Sequence, residues 1–211
     1  MRMRKKPWAK DMIESRDDCV IASPEELKGT WKQLGYDHVI VEIGAGKGDY
    51  WINMGNMHPE ELWVAVEKSI DAAGIALKKS IDRTQPNMKF IVGDAAMISQ
   101  WFAEGEVERI HLNFSDPWPK KHHTKRRLTY SSFLNDYRSI LMPGGKIVMK
   151  TDNAKLFEFS LVSFAENGWL LKEAYVNYRE TAHDEDAITE YEINFISLNQ
   201  PIYRAVWEVV K

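Results

Sequence analysis

Five short apolar runs recur along the chain, each followed by a stretch of helical pattern. They are "HVIVEI" (His38–Ile43), "LWVAVE" (62–67), "MKFIVG" (88–93), "RIHLNF" (109–114) and "KIVMK" (146–150). They are rich in β-branched residues and bounded by Gly, Pro or polar residues, the pattern of strands covered on both faces. Helical patterns follow at 48–57, 70–82, 95–103, 131–141 and 154–167. Strand–helix alternation predicts an α/β fold: a mostly parallel sheet with right-handed crossovers and helices on both faces. Two later runs, "WLLKEAYVNY" (169–178) and "YRAVWEVV" (203–210), read as strands with no helix between them. They are expected to pair antiparallel at one edge, completing a seven-stranded sheet. Residues 1–30 read as a basic, irregular or helical N-terminal extension, with Ser23 as N-cap before Pro24. The 211 residues show no repeat and no low-complexity linker, so 1–211 reads as a single domain.

Open α/β sheets bind ligands outside the carboxyl ends of their strands. Here the five runs deliver Glu42, Glu67, Asp94, Asp116 and Asp152 to that one rim. One strand-end acid is unremarkable; five together point to a site. "VEIGAGKGDYW" places Gly44, Gly46 and Gly48 between a strand and a helix, where glycine allows a tight turn and close ligand approach. The dinucleotide fingerprint wants its third glycine five residues after the first. That position is Asp49, so the pattern fails. Glu42, just ahead of the glycines, would repel a pyrophosphate and attract a cation. Glu67 follows Gly48 by 19 residues, a place from which an acid can accept bonds from both ribose hydroxyls. Taken singly, these residues also fit a plain glycine turn, a solvated strand-end acid and a Gly-Asp turn. Taken together, they resemble the class I methyltransferases, whose fold is Rossmann-like and whose methyl donor is S-adenosylmethionine. Asp94 is similar to that family's adenine-side acid.

The fourth run leads into "LNFSDPWPKKHHTKRRL" (112–128). Two prolines stiffen the loop around Asp116. Class I amino methyltransferases carry Asn/Asp-Pro-Pro-aromatic at this place; here the order is Asp116-Pro117-Trp118-Pro119. Trp118 reads either as a wall against a base or as a core filler. The whole stretch closely resembles the bacterial tRNA (guanine-N7-)-methyltransferases. The resemblance extends to "MRMRKKPW", "EIGAGKG", "KTDN" (150–153), "TEYE" (189–192) and "QPIYR" (200–204), and so covers nearly the full chain. It implies methyl transfer from S-adenosylmethionine to N7 of a guanine in the tRNA variable loop, usually position 46. It assigns Glu42, Gly44, Gly46, Gly48, Glu67, Asp94 and Asp116 to the donor site, with Asp116 catalytic. Lys120, Asp152, Thr189, Glu190, Tyr191 and Glu192 fall to the guanine and its nucleotide. Lys121, His122, His123, Lys125, Arg126 and Arg127 fall to the RNA. Three places depart from the family pattern: His122, Ile193-Asn194 after "TEYE", and Asp49-Tyr50-Trp51 at the helix start. The alternatives are an RNA methyltransferase acting on an exocyclic amine (adenine N6 or guanine N2) and a non-catalytic RNA-binding protein on the same fold.

Composition narrows the classes further. The net charge is −3, which argues against general nucleic-acid coating but not against a local basic face. One such face would be 120–127 and a second Arg2, Arg4, Lys5 and Lys6. Cys19 is the single cysteine, so no internal disulfide forms and a reducing cytoplasm is expected. No apolar run approaches the roughly 20 residues of a spanning helix. The charged start "MRMRKKPWAKD" lacks the apolar region of a signal peptide. Adjacent His122 and His123 lack a third ligand, so no metal is expected. The acidic "HDED" (183–186) reads as a mobile loop tip. Monomer and homodimer both remain open.

Overall fold

The computed structural model describes residues 4–211, so Arg2 of the expected basic arm lies outside the described residues. Seven strands form one sheet: β1 (His38–Ile43), β2 (Glu61–Glu67), β3 (Met88–Val92), β4 (Val107–Asn113), β5 (Leu141–Thr151), β6 (Leu170–Tyr175) and β7 (Tyr203–Glu208). Their order is β3-β2-β1-β4-β5-β7-β6. The pairs β1–β2, β2–β3, β1–β4 and β4–β5 are parallel, and β7 runs antiparallel between β5 and β6. The antiparallel pair is therefore present, with β6 as the outer strand.

Continuously apolar strands fill two cores, one on each face, because alternate side chains point opposite ways. Val39, Val41 and Ile43 of β1 and Leu62, Val64 and Val66 of β2 join one core. Helices α5 (Ser131–Ile140) and α6 (Ala154–Glu166) close it with Leu134, Tyr137, Leu156 and Phe164. Ile40, Trp63 and Ala65 face the other way, onto Trp51 and Met54 of α2 (Asp49–Met57) and Ala73 and Leu77 of α3 (Ile70–Lys79). The predicted helix at 95–103 is a 3-10 turn followed by α4 (Ile98–Trp101). Near the N-terminus, α1 (Ala9–Glu14) packs against α3, where a Cβ at Gly74 would lie 2.5 Å from that of Ala9. Ser23 does precede a 3-10 turn, Pro24–Leu27, but its side chain makes no cap bond.

One expectation is corrected. A helix, α7 (Glu190–Ser197), stands between β6 and β7, where none was predicted. Its residues Tyr191, Ile193, Phe195 and Ile196 are aromatic or β-branched and favour strands. The start signal overrides them. "TEYE" is a capping box: Thr189 Oγ1 accepts the Glu192 N–H at 3.0 Å, and Glu192 Oε2 accepts the Thr189 N–H at 2.8 Å.

Candidate active site

The strand order reverses between β1 and β4, and a cleft of about 350 Å³ opens at the carboxyl ends there. Such a switch point is where open α/β sheets bind ligands. The glycine turn follows β1, and the "SDPWP" loop follows β4.

Glu42, Glu67, Asp94 and Asp116 all line this cleft, with Gly44, Gly46 and Gly48. Their settings differ. Glu42 is 2% exposed; its Oε1 accepts from Asn113 Nδ2 at 3.0 Å, and its Oε2 is buried without a partner among the described residues. Burial pushes its carboxyl up to about 8, against the pull of Asn113 and Lys150. A buried, half-satisfied acid facing a cleft suits a cationic ligand. Glu67 is tied down: its Oε2 accepts from Gly46 N at 2.9 Å, and its Oε1 from Ser69 N at 2.7 Å. A carboxylate has about four acceptor positions, so it keeps capacity for two ribose hydroxyls. Asp94 is exposed and caps Ala96 N at 3.0 Å. The glycine turn needs its glycines most at Gly48. There φ is +80°, and a Cβ would lie 2.7 Å from that of Ala76. These features fit S-adenosylmethionine: room beside the backbone, an orphaned acid for positive charge and a fixed acid for a ribose.

Asp116 stands exposed at the cleft mouth on a strained loop. Phe114 has φ 50° and Trp118 has φ 42°, left-handed values that non-glycine residues rarely adopt. Arg127 holds this loop, donating from Nε to Pro117 O at 2.9 Å and from Nη2 to Trp118 O at 3.2 Å. Its guanidinium lies 4.3 Å from the Phe159 ring centre. Arg127 therefore faces the loop, whereas Lys120, Lys121, His122, Lys125 and Arg126 vary around a 3-10 turn, Lys121–Arg126, and are exposed. Trp118 is half-buried and lines the cleft, with Arg126 5.0 Å from its ring centre and His123 edge-on at 5.5 Å. Of its two readings, the wall of the cleft is the one its position matches.

The rest of the predicted set divides. Thr189, Glu190 and Tyr191 line the cleft; Lys120, Asp152 and Glu192 do not. Glu190 bonds Lys47 of the glycine turn at 2.6 Å, which holds its carboxyl below the usual range. Tyr191 stacks on Phe114 with ring centres 5.9 Å apart. Glu192 is fully buried and meets Lys150 and Arg179 instead of the cleft. "HDED" divides: Asp184 and Glu185 are exposed, whereas Asp186 is buried and bonded to Tyr50, Lys150 and Arg179. Sequence reasoning gave no role to Asn113 or Lys150. Their signal was a polar residue closing strand β4 and a lysine near the end of strand β5. Among the described residues, His122 and His123 join no metal-like group. His58, Glu60 and Glu61 bring ligand atoms within 4.8 Å of one another, but one Glu61 oxygen already pairs with Arg109. Among the described residues no helix is long and apolar enough to cross a membrane.

Comparison with known proteins agrees with this geometry. A family model described as "Putative methyltransferase" matches residues 37–205. The tRNA (guanine-N(7)-)-methyltransferase of Exiguobacterium sp. (strain ATCC BAA-1283 / AT1b) is 42% identical over 97% of this chain and 96% of its own length. The chain belongs to the tRNA (guanine-N7-)-methyltransferase family. A second member, from Streptococcus mutans serotype c, is 41% identical over 97% of this chain and 98% of its own. The family's fold extends further: the crystal structure of the 16S rRNA methyltransferase KamB superposes with a TM-score of 0.64 at 17% identity, covering 87% of this chain and 94% of that one.

Proposed function

We propose that this protein transfers a methyl group from S-adenosylmethionine to N7 of a guanine in tRNA, in the variable loop and usually at position 46. The observation that carries the reading is the pairing of two loops at one switch point. The buried Glu42–Asn113 pair and the glycine turn make a donor site, and the "SDPWP" loop sets Asp116 at its mouth. S-adenosylmethionine supplies an electrophilic methyl on a sulfonium. Glu42, Glu67, Asp94 and the glycine turn would hold it. Guanine N7 presents a lone pair and no proton, so the site needs no base to activate it. What the chain's residues supply is orientation and charge. Asp116 accepts from the guanine edge and balances the positive charge the ring gains. Trp118 and Tyr191 offer aromatic faces for a base that has left its tertiary contacts. Lys120, Lys121, Lys125 and Arg126, with Arg4, Lys5 and Lys6, form basic arms for phosphates. Asp152, next to this rim, reaches the nucleotide from outside the donor cleft. The chain works as one domain in a reducing cytoplasm, where its buried Cys19 stays a thiol.

The test is a reaction of purified protein, tRNA and labelled donor, followed by nucleoside analysis. 7-Methylguanosine is the expected product. Label in N6-methyladenosine or N2-methylguanosine would assign the site to an exocyclic amine instead, and no label at all would leave an RNA-binding protein.

A further inference from the structure

We propose that Lys150 is a positioning residue that fixes the placement of the 186–192 wall of the cleft against the Asp116 loop for methyl transfer, an inference resting on the methyl-transfer reading. Lys150 is fully buried near the end of β5. Its ammonium meets Asp186 Oδ2 at 2.8 Å, Glu192 Oε2 at 3.1 Å and Ala187 O at 3.4 Å. Arg179 returns to the same two acids, at 2.6 Å to Asp186 Oδ2 and 2.8 Å to Glu192 Oε1. Two cations thus face two carboxylates, and the cluster is neutral as it closes. Tyr50 joins it by donating to Asp186 Oδ1 at 2.7 Å. Its hydroxyl proton is then committed, so His111 Nδ1, at 3.0 Å, is the donor to Tyr50 and His111 is the Nδ1–H tautomer.

These bonds anchor the segment 186–192, whose residues Thr189, Glu190 and Tyr191 form one wall of the cleft. The main chain of the same lysine serves the neighbouring wall, whose Phe114 stacks on Tyr191 and Phe195. Its carbonyl accepts the Phe114 N–H at 2.8 Å, at the strained residue where the Asp116 loop begins. Across the β4–β5 ladder, Lys150 is also the register partner of Asn113, which holds Glu42. One residue therefore ties the donor side, the Asp116 loop and the α7 wall, without itself lining the cleft. Apolar packing would tolerate small slips of α7. A buried ion cluster with directional bonds selects one placement. An error of about 1 Å in such a placement can cost about 100-fold in rate.

The test compares the full-length wild-type chain with K150M and E192Q. E192Q keeps a capping-box residue but removes the charge. Three readouts are needed: single-turnover methyl transfer at saturating tRNA, donor affinity by calorimetry, and hydrogen exchange at 186–198. For K150M, transfer is expected to fall about 100-fold, with a smaller loss of donor affinity, about tenfold at most because Glu42 loses the pull of Lys150, and faster exchange confined to 186–198. E192Q should shift the same way by about tenfold, and it stands in if K150M does not fold. Unchanged exchange at 186–198, or transfer within threefold of wild type in a folded variant, overturns the proposal. So does a loss of donor affinity as large as the loss of rate. If the wild type itself makes no 7-methylguanosine, the methyl-transfer reading fails, and hydrogen exchange still decides whether Lys150 holds the wall.

Discussion

At Glu42, burial pushes the carboxyl up to about 8, well above the ordinary value of 4.5. The sign of its effects follows. An acid raised in the folded state destabilises that state as pH rises, with the cost growing from 4.5 to about 8 and constant above. Replacing Glu42 by Gln should therefore raise the melting temperature of the ligand-free protein at pH 8 more than at pH 5, by a difference of about 2 to 5 kcal/mol in stability. Donor binding runs the other way. A cationic ligand favours the ionised form, so donor affinity should climb between pH 6 and 8, and E42Q should flatten that climb. Calorimetric titration across this range decides it; a rise that survives in E42Q would remove Glu42 from the site. At Asp116 the expectation concerns rate. D116A should reduce methyl transfer by about 100-fold or more, the scale seen when one preorganised charge-stabilising group is lost. Steady-state kinetics on folded variant measures this, and a D116A protein as fast as wild type would show that another group steadies the guanine.

At the scale of elements, the turn between β1 and α2 carries the clearest constraint. A methyl group at Gly48 would meet Ala76 at 2.7 Å and force a φ of +80° on an L residue. G48A should cost about 2 kcal/mol or more from backbone strain and contact together, read as a lower melting temperature, and should weaken donor binding. A G48A protein as stable as wild type would mean that the turn relaxes at no cost. The strands and most helices were legible in the sequence because fully apolar, β-branched runs alternate with helical spacing. Helix α7 was not, since Tyr191, Ile193 and Phe195 suit strands and the decisive term was a local cap between Thr189 and Glu192. The donor side of the site was legible for a similar reason. Acids at strand ends and glycines in a turn act where the sequence puts them. The roles of Asn113, Lys150, Arg179 and Asp186 were not, because they exist only where β4, β5 and the segment after β6 come together. Glu192 shows the same limit: its carboxylate turns inward to a lysine 42 residues away in the chain.

For the molecule as a whole, a net charge of −3 hides a division of labour. Acids gather around the cleft, and exposed cations gather on the turn after the "SDPWP" loop. Binding to tRNA through that turn should weaken steeply with salt. Replacing Lys121, Lys125 and Arg126 by Ala should lower the slope of log affinity against log salt by about 2, on the scale of about 0.7 per lost phosphate contact. Filter binding over a salt series measures it; an unchanged slope would move the RNA face elsewhere. Arg127 should behave differently, because it braces Pro117 and Trp118 and its loss should slow transfer more than it weakens binding. All of this rests on the reaction. The most direct measurement is a nucleoside digest of tRNA from a strain lacking this protein, complemented with wild type or D116A. Missing 7-methylguanosine restored by wild type and not by D116A is the predicted result; 7-methylguanosine at the same level in all three strains would contradict the account.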